Sequence, residues 1–148
     1  MKTTRSLCPN CQYIMSRCLC KELSPIFNQT ELIILQHPSE TKHALNTVKL
    51  MAQSFQNIRI FIGENFNEHS EVLSLVKDNQ SALIFPTDKS QELTLLQRPL
   101  KHLIFIDASW KKAKKIFYAS TILHELPIYK LMSCSKSQYR LRSSQFNE

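Results

Sequence analysis

Short apolar runs alternate with amphipathic segments along this chain of 148 residues, and this alternation constrains the fold more than any other feature. Buried strands are predicted at residues 32–35, 58–62, 82–85, 103–106 and 128–132. Helices are predicted at residues 42–55, 68–77 and 110–123, with a shorter one at 93–97. Strands that alternate with helices form mostly parallel sheets with helices on both faces, so the sequence predicts an α/β fold.

The helical periodicity also predicts which side chains of each helix face the core. In the first helix these are Leu45, Val48, Ala52 and Phe55, and in the second they are Val72, Leu73 and Val76. In the third helix they are Trp110, Ala113, Ile116, Phe117, Ser120 and Leu123. The residues predicted to face outward from the third helix are Lys111, Lys112, Lys115 and Tyr118. This helix is therefore expected to present a basic surface.

Gly63 is the only glycine in the sequence, and this scarcity excludes several common sites. Dinucleotide-binding and P-loop motifs need glycines so that backbone amides can approach phosphate. The G-x-S-x-G nucleophile elbow of α/β-hydrolases also needs more than one glycine. Glycine-rich nucleotide sites, Rossmann methyltransferases and hydrolases of that class are therefore disfavoured.

Four of the five cysteines are clustered near the start of the chain, at Cys8, Cys11, Cys18 and Cys20. The sequence shows no export signal and no apolar run of about 18 residues, so we expect a soluble, intracellular protein without disulfides. The spacing C-x2-C-x6-C-x-C supplies two close thiolate pairs, as in four-thiolate zinc sites. A redox pair is the alternative, but it leaves Cys18 and Cys20 unexplained. Cys134 is expected to be a buried or free thiol.

The net charge of +7 is concentrated in the last quarter of the chain. Eight basic residues and a single acidic one, Glu125, fall between Lys111 and Arg142, and elsewhere the two signs cancel. The lysines at 111–115 also open the third helix, where the helix dipole disfavours cations. An anionic partner such as RNA phosphate would offset this cost. The alternative is a solvated basic face that aids solubility.

Polar residues follow three of the predicted strands, and a parallel sheet would collect them at one edge. These segments are His37-Pro38-Ser39-Glu40, Pro86-Thr87-Asp88-Lys89 and Asp107-Ala108-Ser109-Trp110. Asp107 is a candidate general base, and the hydroxyl and indole that follow it could shape a pocket. Simpler roles remain open, with Asp107 or Ser109 capping the helix and Trp110 packing in the core. For His37, a structural role is equally open.

Several short segments, in a fixed order, carry a resemblance to a known family. They are the four clustered cysteines, Gln36-His37-Pro38-x-Glu40, Asn46-Thr47, Ile84-Phe85-Pro86, Asp107-x-Ser109-Trp110 and Tyr139-Arg140-Leu141-Arg142. This pattern resembles the DTW-domain family, whose members are tRNA-uridine aminocarboxypropyltransferases. The resemblance implies a knotted, SPOUT-like α/β fold that binds S-adenosylmethionine without a glycine-rich loop. It also implies a zinc knuckle at residues 1–22 and a catalytic domain at residues 23–148.

The resemblance implies transfer of the 3-amino-3-carboxypropyl group of S-adenosylmethionine to N3 of a uridine in tRNA. Catalysis is then assigned to Asp107, Ser109 and Trp110. Cofactor binding is assigned to these three residues together with Pro86, Thr87 and Leu126. RNA contacts are expected from His37, Lys42, Lys111, Lys112, Lys114, Lys115, Arg140 and Arg142. Zinc is expected on the four clustered cysteines, and the protein is expected in the cytoplasm without a membrane partner.

Two differences from the family pattern bear on these expectations. Ala108 and Ser109 stand where the family usually has Gly and Thr, and a related group of rRNA aminocarboxypropyltransferases also has Ser before the Trp. The later Ser-Thr-Leu-Glu-Ala segment of the family is not found in this chain, so we expect a C-terminally truncated domain. The alternative functions are a non-catalytic zinc-containing RNA-binding module, a SPOUT-type RNA methyltransferase and an rRNA aminocarboxypropyltransferase.

Overall fold

The computed structural model describes residues 6–43, 46–96 and 98–131, and in these ranges six strands form one sheet. The strands are β1 (Glu31–Gln36), β2 (Ile58–Ile62), β3 (Ser81–Ile84), β4 (Gln91–Glu92), β5 (His102–Asp107) and β6 (Ile128–Lys130). Every pairing is parallel, and the order across the sheet is β2-β1-β5-β3-β6-β4. The predicted α/β fold is confirmed. The knot and the division at residue 22 stay predictions, and residues 132–148 lie outside the described ranges.

All five predicted strands occur in the sheet, with bounds within two residues of those expected. The sixth strand, β4, was not predicted because two residues carry too little alternation to be recognised. It pairs with β6 through Gln91 and Glu92. The hydrophobic pattern therefore located the strands that build the core but not this short addition.

Within the described residues, three α-helices connect the strands: α1 (Thr47–Ser54), α2 (Ser70–Lys77) and α3 (Trp110–Ala119). Short 3-10 helices occur at Met15–Arg17, Glu40–Lys42, Leu93–Leu95 and Thr121–Glu125. The helix predicted at 42–55 begins later because Asn46 caps it, its side chain accepting the Val48 N–H at 2.9 Å. In the described ranges, none of the helices combines the length and apolar character needed to cross a membrane.

The helix predicted at 110–123 ends early because Ser120 turns the chain. Its backbone leaves the helical region, with φ −93° and ψ 74°. The Ser120 hydroxyl is buried and accepts the Phe66 N–H at 3.0 Å, which satisfies a backbone donor that has no water available. A 3-10 helix then carries Leu123 into the core.

Helices α2 and α3 cover one face of the sheet and share one core with it. The strands and the residues just after them contribute Ile33, Leu35, Phe61, Leu83, Phe85 and Ile104. The helical segments contribute Val72, Leu75, Ala113, Ile116, Phe117 and Leu123. Most of the inward positions predicted for the third helix are therefore confirmed.

Some predicted core positions are wrong. Trp110 is 42% exposed, and Ala52 is also exposed. In α2, Leu75 is buried, whereas Leu73 and Val76 are only half-buried. The helical period of the pattern was correct, but it did not show which residues of the predicted inward face would be covered by neighbouring elements.

The opposite face of the sheet carries a second core, made of Ala82, Ile84, Leu100 and Tyr129. Helix α1 belongs to this side, because right-handed crossovers that run in opposite directions place their helices on opposite faces. The β1-to-β2 crossover runs toward one edge of the sheet, and the β2-to-β3 crossover runs toward the other. Helices on both faces follow from this topology.

The strand order creates one point where neighbouring connections diverge. From β1 the chain continues to β2 on one side, and from β5 it continues to β6 on the other. The carboxyl ends of β1 and β5 therefore form a topological switch point, where open α/β sheets bind their ligands. Gln36 and Asp107 lie there as register partners.

An ion-pair network holds the opposite, amino-terminal edge of the sheet. The Arg59 guanidinium donates two hydrogen bonds to the Glu31 carboxylate, at 2.7 and 2.9 Å. His102 Nδ1 lies 3.0 Å from the same carboxylate, and its Nε2 lies 3.6 Å from Asp78. The Arg59 hydrogen bonds, with a smaller contribution from His102, hold the pKa of the Glu31 carboxyl below its ordinary value.

Replacing Glu31 with Gln should lower the free energy of unfolding at neutral pH by about 1–2 kcal/mol, since it removes a charge-assisted pair. A carboxyl whose pKa is lowered by folding stabilises the protein above its unfolded pKa, and this stability is lost as pH falls through the folded pKa. The variant should therefore lose less stability on acidification. Urea unfolding at neutral and acidic pH measures both effects.

The matched control is Glu22→Gln, because Glu22 is an exposed carboxylate outside the network. It should leave the free energy of unfolding and its pH dependence unchanged. If Glu31→Gln and Glu22→Gln gave the same pH profile as the parent protein, the assigned role of the Arg59 pair would be wrong.

Candidate active site

Four adjacent strand ends supply the candidate active site. The carboxyl ends of β2, β1, β5 and β3 lie side by side, so the segments after them share one edge. The predicted meeting of His37, Asp107 and the 86–89 segment at this edge is confirmed by the strand order. The segment after β2, which contains Glu64, joins them and was not predicted.

The Asp107 carboxylate is fixed from the neighbouring strand. Gln36, which is 4% exposed, donates from Nε2 to Asp107 Oδ2 at 2.8 Å. The His37 N–H donates to the Asp107 carbonyl at 3.0 Å, so the backbone is also held. Because Gln36 uses one carboxylate oxygen, the orientation of Asp107 is set before any ligand arrives.

Helix capping does not account for these residues. Ser109 is the N-cap residue of α3, but its side chain makes no capping hydrogen bond. The Asp107 carboxylate accepts from Gln36 instead. The capping interpretation of both residues is therefore wrong, and Ser109 leaves its exposed hydroxyl at the edge of the site.

A second network surrounds His37, which is 8% exposed. Its Nδ1 accepts the Ser39 N–H at 3.1 Å and lies 2.9 Å from the Ser39 hydroxyl. Its Nε2 lies 3.1 Å from Glu64. Lys112 donates to the Ser39 hydroxyl at 2.5 Å, and Lys115 donates to Glu64 at 3.3 Å. Two lysines of α3 are thus tied to the ends of β1 and β2.

Glu64 links these groups electrostatically. Its hydrogen bond from Lys115, with a smaller contribution from His37, holds the pKa of the Glu64 carboxyl below its ordinary value. The sequence signal for Glu64 was its position directly after Gly63, which closes the second strand. It was missed because its partners become visible only when β2 is known to lie beside β1.

An aromatic cleft of about 530 Å³ opens between the 86–89 segment and α3. Its lining residues are Phe85, Pro86, Thr87, Asp88, Lys89, Trp110, Lys114, Phe117, Tyr118, His124 and Ile128. Phe85 stacks on Trp110 at 5.5 Å between ring centroids and on Phe117 at 4.8 Å. The size is ordinary for a small-molecule site, and the stacked rings suit a flat aromatic ligand.

Two polar features mark the same cleft. The Thr87 side-chain oxygen Oγ1 is buried and has no hydrogen-bond partner among the described residues. Lys114 Nζ lies 4.9 Å from the centroid of the Trp110 ring, a cation–π contact. A buried hydroxyl without a partner is costly, and this one belongs to a residue that lines the cleft.

The structure divides the predicted site residues into groups. Pro86, Thr87 and Trp110 line the cleft, whereas Asp107 and Ser109 are not among its lining residues, although they precede Trp110 by three positions and one position in the sequence. Leu126 is buried in the main core and is not among the residues that line the cleft. Other expected RNA contacts have different positions: Lys42, Lys111, Lys114 and Lys115 are exposed, Lys112 is half-buried, and Arg140 and Arg142 lie outside the described residues.

The four clustered cysteines form a separate site at the N-terminal end of the described chain. Their sulfur atoms all lie within 4.8 Å of one another. Cys8 Sγ lies 3.5 Å from Cys18 Sγ and 3.6 Å from Cys20 Sγ, and Cys11 Sγ lies 3.8 Å from Cys18 Sγ. A tetrahedral zinc ion with Zn–S bonds of about 2.3 Å requires sulfurs roughly 3.8 Å apart. The cluster therefore has the geometry of a metal site.

The four thiols differ in acidity. The backbone N–H groups of Cys11 and Asn10 lower the pKa of the Cys8 thiol. A hydrogen bond with Cys18 and burial raise the pKa of Cys20 to about 12, so this thiol keeps its proton. A bound dication would replace such protons, because metal binding deprotonates thiol ligands.

The cysteine cluster packs on α1. Leu50 contacts the cluster, and Gln53 Nε2 donates to the Asn10 carbonyl at 2.6 Å. The connector that follows is anchored by Ile26, which pairs with Phe55 at the end of the helix. The knuckle therefore fastens the N-terminal segment to the crossover between β1 and β2.

Comparison with known proteins agrees with this arrangement. The chain is 30% identical over 153 residues to tRNA-uridine aminocarboxypropyltransferase 2 of Mus musculus, covering 97% of this chain and 51% of that protein. It is 32% identical over 139 residues to tRNA-uridine aminocarboxypropyltransferase A of Arabidopsis thaliana, covering 80% of this chain and 53% of that protein. The chain thus spans about half the length of these curated relatives.

No solved structure shows significant similarity to this chain. The family model described as DTW domain, in contrast, matches residues 5–148. That match includes the cysteine cluster, the Gln36 and Asp107 pair and the Trp110 cleft, which are the features described above. The chain therefore belongs to the DTW-domain family.

Proposed function

We propose that this chain transfers the 3-amino-3-carboxypropyl group of S-adenosylmethionine to N3 of a uridine in tRNA. A carbon–nitrogen bond forms as the bond from that carbon to the sulfonium sulfur breaks, and methylthioadenosine is released. The observation that carries the proposal is the Asp107 carboxylate, oriented by Gln36 at the switch point beside an aromatic cleft. The names of the relatives support the reaction and the RNA. Because the chain spans about half the length of those relatives, the activity is to be measured on this chain itself.

The cleft has the chemistry to hold S-adenosylmethionine. Trp110, which is 42% exposed and is backed by the buried Phe85 ring, offers an apolar ring that suits an adenine, and Thr87 lines the same cleft. When bound, the cosubstrate supplies a sulfonium that activates its neighbouring carbons, so the carbon presented to the uridine decides which group is transferred. The residues that would hold it are Pro86, Thr87 and Trp110.

Asp107 is the general base in this proposal. Uracil N3 carries a proton and becomes a good nucleophile only when that proton is removed. Gln36 occupies Asp107 Oδ2, so Oδ1 is the oxygen that takes the N3 proton. Gln36 is a positioning residue, since it acts through the carboxylate. The competing role for Asp107 is to hold the ammonium group of the cosubstrate.

Asp107→Asn should lower the rate of aminocarboxypropyl transfer about 100-fold or more, because the amide cannot accept the proton. The variant keeps an oxygen for Gln36, so the fold is retained. Unmodified tRNA is incubated with S-adenosylmethionine and the protein, and the nucleosides are then weighed by mass spectrometry. The parent protein should give uridine with an added aminocarboxypropyl group.

The matched control is Glu68→Gln, an exposed carboxylate outside the site, which should keep full activity. An added methyl group would identify a methyltransferase instead. Tight RNA binding with no product would favour a binding module. Full turnover by Asp107→Asn would show that the base is another group, and a raised KM for the cosubstrate with normal kcat would assign Asp107 to the ammonium.

The lysines of α3 are proposed to bind RNA phosphates. Lys111, Lys114 and Lys115 are exposed, and the helix begins directly beside Asp107. Phosphate contacts position the RNA without reading its sequence, so the choice of uridine must come from other groups. His37 has both ring nitrogens engaged, and we propose that it positions the loop after β1 rather than touching RNA.

Binding of tRNA should weaken steeply with salt, and Lys111→Ala should reduce the slope of log Kd against log salt by about 0.7–0.9. The matched control is Lys101→Ala, because Lys101 is exposed at the amino-terminal edge of the sheet, just before β5. Fluorescence anisotropy with labelled tRNA over a salt series measures both slopes. A flat salt response, or equal effects of the two variants, would contradict the proposed surface.

Zinc is the metal proposed for the four-cysteine cluster. An all-thiolate tetrahedral site favours zinc over oxygen-preferring cations such as magnesium. Its role is to hold the N-terminal segment against α1, where Gln53 reaches the Asn10 carbonyl. A redox pair would use two of the thiols, whereas the sulfur distances involve all four.

The purified protein should contain about one zinc per chain by elemental analysis, and a chelator should lower its melting temperature. Cys11→Ser should reduce zinc content and thermal stability, because it removes the most buried ligand. The matched control is Cys134→Ser, which replaces the fifth cysteine and should leave zinc content unchanged. A metal-free protein with a disulfide among the four cysteines would refute the zinc assignment.

A further inference from the structure

The outer part of the aromatic cleft is not explained by the proposed cosubstrate site. Tyr118 is 66% exposed, although it is a large aromatic side chain on a helix that packs well elsewhere. Trp110 is 42% exposed on the same helix. Exposed rings that line a cleft would gain hydrophobic free energy if a ligand covered them, and neighbouring exposed apolar groups often mark a binding site.

The exposed rings and a lysine share one face of α3. Trp110, Lys114 and Tyr118 are spaced four residues apart, so they lie one above the other on the helix, and all three line the cleft. The rise of the helix puts Tyr118 about 12 Å along the axis from Trp110. A ring stacked on Trp110 therefore leaves Tyr118 uncovered.

Neighbouring groups hold the Tyr118 ring in place. It meets Phe117 edge-on at 5.3 Å between centroids and His124 at 6.4 Å with an interplanar angle of 85°. His124 is itself fixed, because its Nε2 lies 2.8 Å from the Phe117 carbonyl and so donates to it. The Tyr118 ring is thus part of a braced aromatic group at the surface.

We infer that Tyr118, braced by His124, is a stacking platform for the nucleobase adjacent to the target uridine. Single-stranded nucleic acid is bound by exposed aromatic rings beside cations, because each base has a flat face and each phosphate a charge. Lys114 and Lys89 line the same cleft and supply the cations. The inference rests on the proposed function, since it assumes that a uridine enters next to Asp107.

A nucleobase fits this platform better than an aliphatic or protein ligand. The surface combines flat rings with two lysines, Lys89 and Lys114, against one carboxylate, Asp88, which complements a base attached to a phosphodiester. For N3 of a uridine to reach Asp107, the uridine must leave its stack, so its neighbour loses a stacking partner. Tyr118 would replace that partner.

The test measures binding without relying on catalysis. Short single-stranded RNAs carry one uridine flanked by ordinary bases, or by an abasic site on its 5′ or 3′ side. Tyr118→Ala should raise Kd for the intact RNA about tenfold, and Tyr118→Phe should restore it. Removing one of the flanking bases should weaken RNA binding to the parent protein but not to Tyr118→Ala. The abasic site and the substitution each remove the same stacking contact between that base and the Tyr118 ring.

The matched control is Phe27→Ala, which removes an exposed aromatic side chain in the connector before β1, and it should leave Kd unchanged. Calorimetry with S-adenosylmethionine alone should give the same Kd for Tyr118→Ala as for the parent protein. The inference is overturned if Tyr118→Ala weakens cosubstrate binding rather than RNA binding. It is also overturned if the abasic site weakens RNA binding to Tyr118→Ala as much as it weakens binding to the parent protein. If Tyr118→Ala weakened RNA binding but the parent protein transferred no aminocarboxypropyl group, only the proposed function would be refuted. If the parent protein transferred the group but Tyr118→Ala bound RNA equally well, only the stacking platform would be refuted.

Discussion

The parallel pairing of β1 with β5 is the interaction on which the candidate active site depends. It makes Gln36 and Asp107 register partners. The Gln36 side chain can therefore orient the Asp107 carboxylate, although the two residues lie 71 positions apart in the sequence. The same pairing brings the loop after β1 against the start of α3, where Lys112 reaches Ser39. Because the connections from the two strands run in opposite directions, their ends leave a crevice for a ligand.

The fold was largely predictable because its central strands are buried on both faces. Such strands contain continuous apolar runs, as at residues 82–85 in and just after β3, and these runs can be recognised without knowledge of their partners. Helix ends were less predictable, since they depend on single hydrogen bonds such as those made by Asn46 and Ser120. The exposure of Trp110 was not predictable from the helical period either: it is the first residue of α3, and its ring is covered by Phe85 but remains 42% exposed at the cleft.

The site was predictable only in part. The cysteine cluster and the Asp107 segment could be recognised because each consists of residues that are close together in the sequence, so their spacing can be read directly. Glu64 and the Gln36 hydrogen bond could not be predicted, since each needs the order of the strands, which periodicity does not specify. The lysines of α3 predicted a basic surface, but the sequence did not show that Lys115 would form an ion pair with Glu64.

The buried Ser120 hydroxyl, which binds the Phe66 amide and ends α3, has a consequence for how sites of this kind could diversify. The position at which the helix ends sets how many aromatic residues it places along the cleft. A lineage that moved this serine by one turn would lengthen or shorten the wall without altering Asp107 or its strand. The ligands that such a cleft accepts would then change with the length of one helix, while the groups at the ends of β1 and β5 stayed the same.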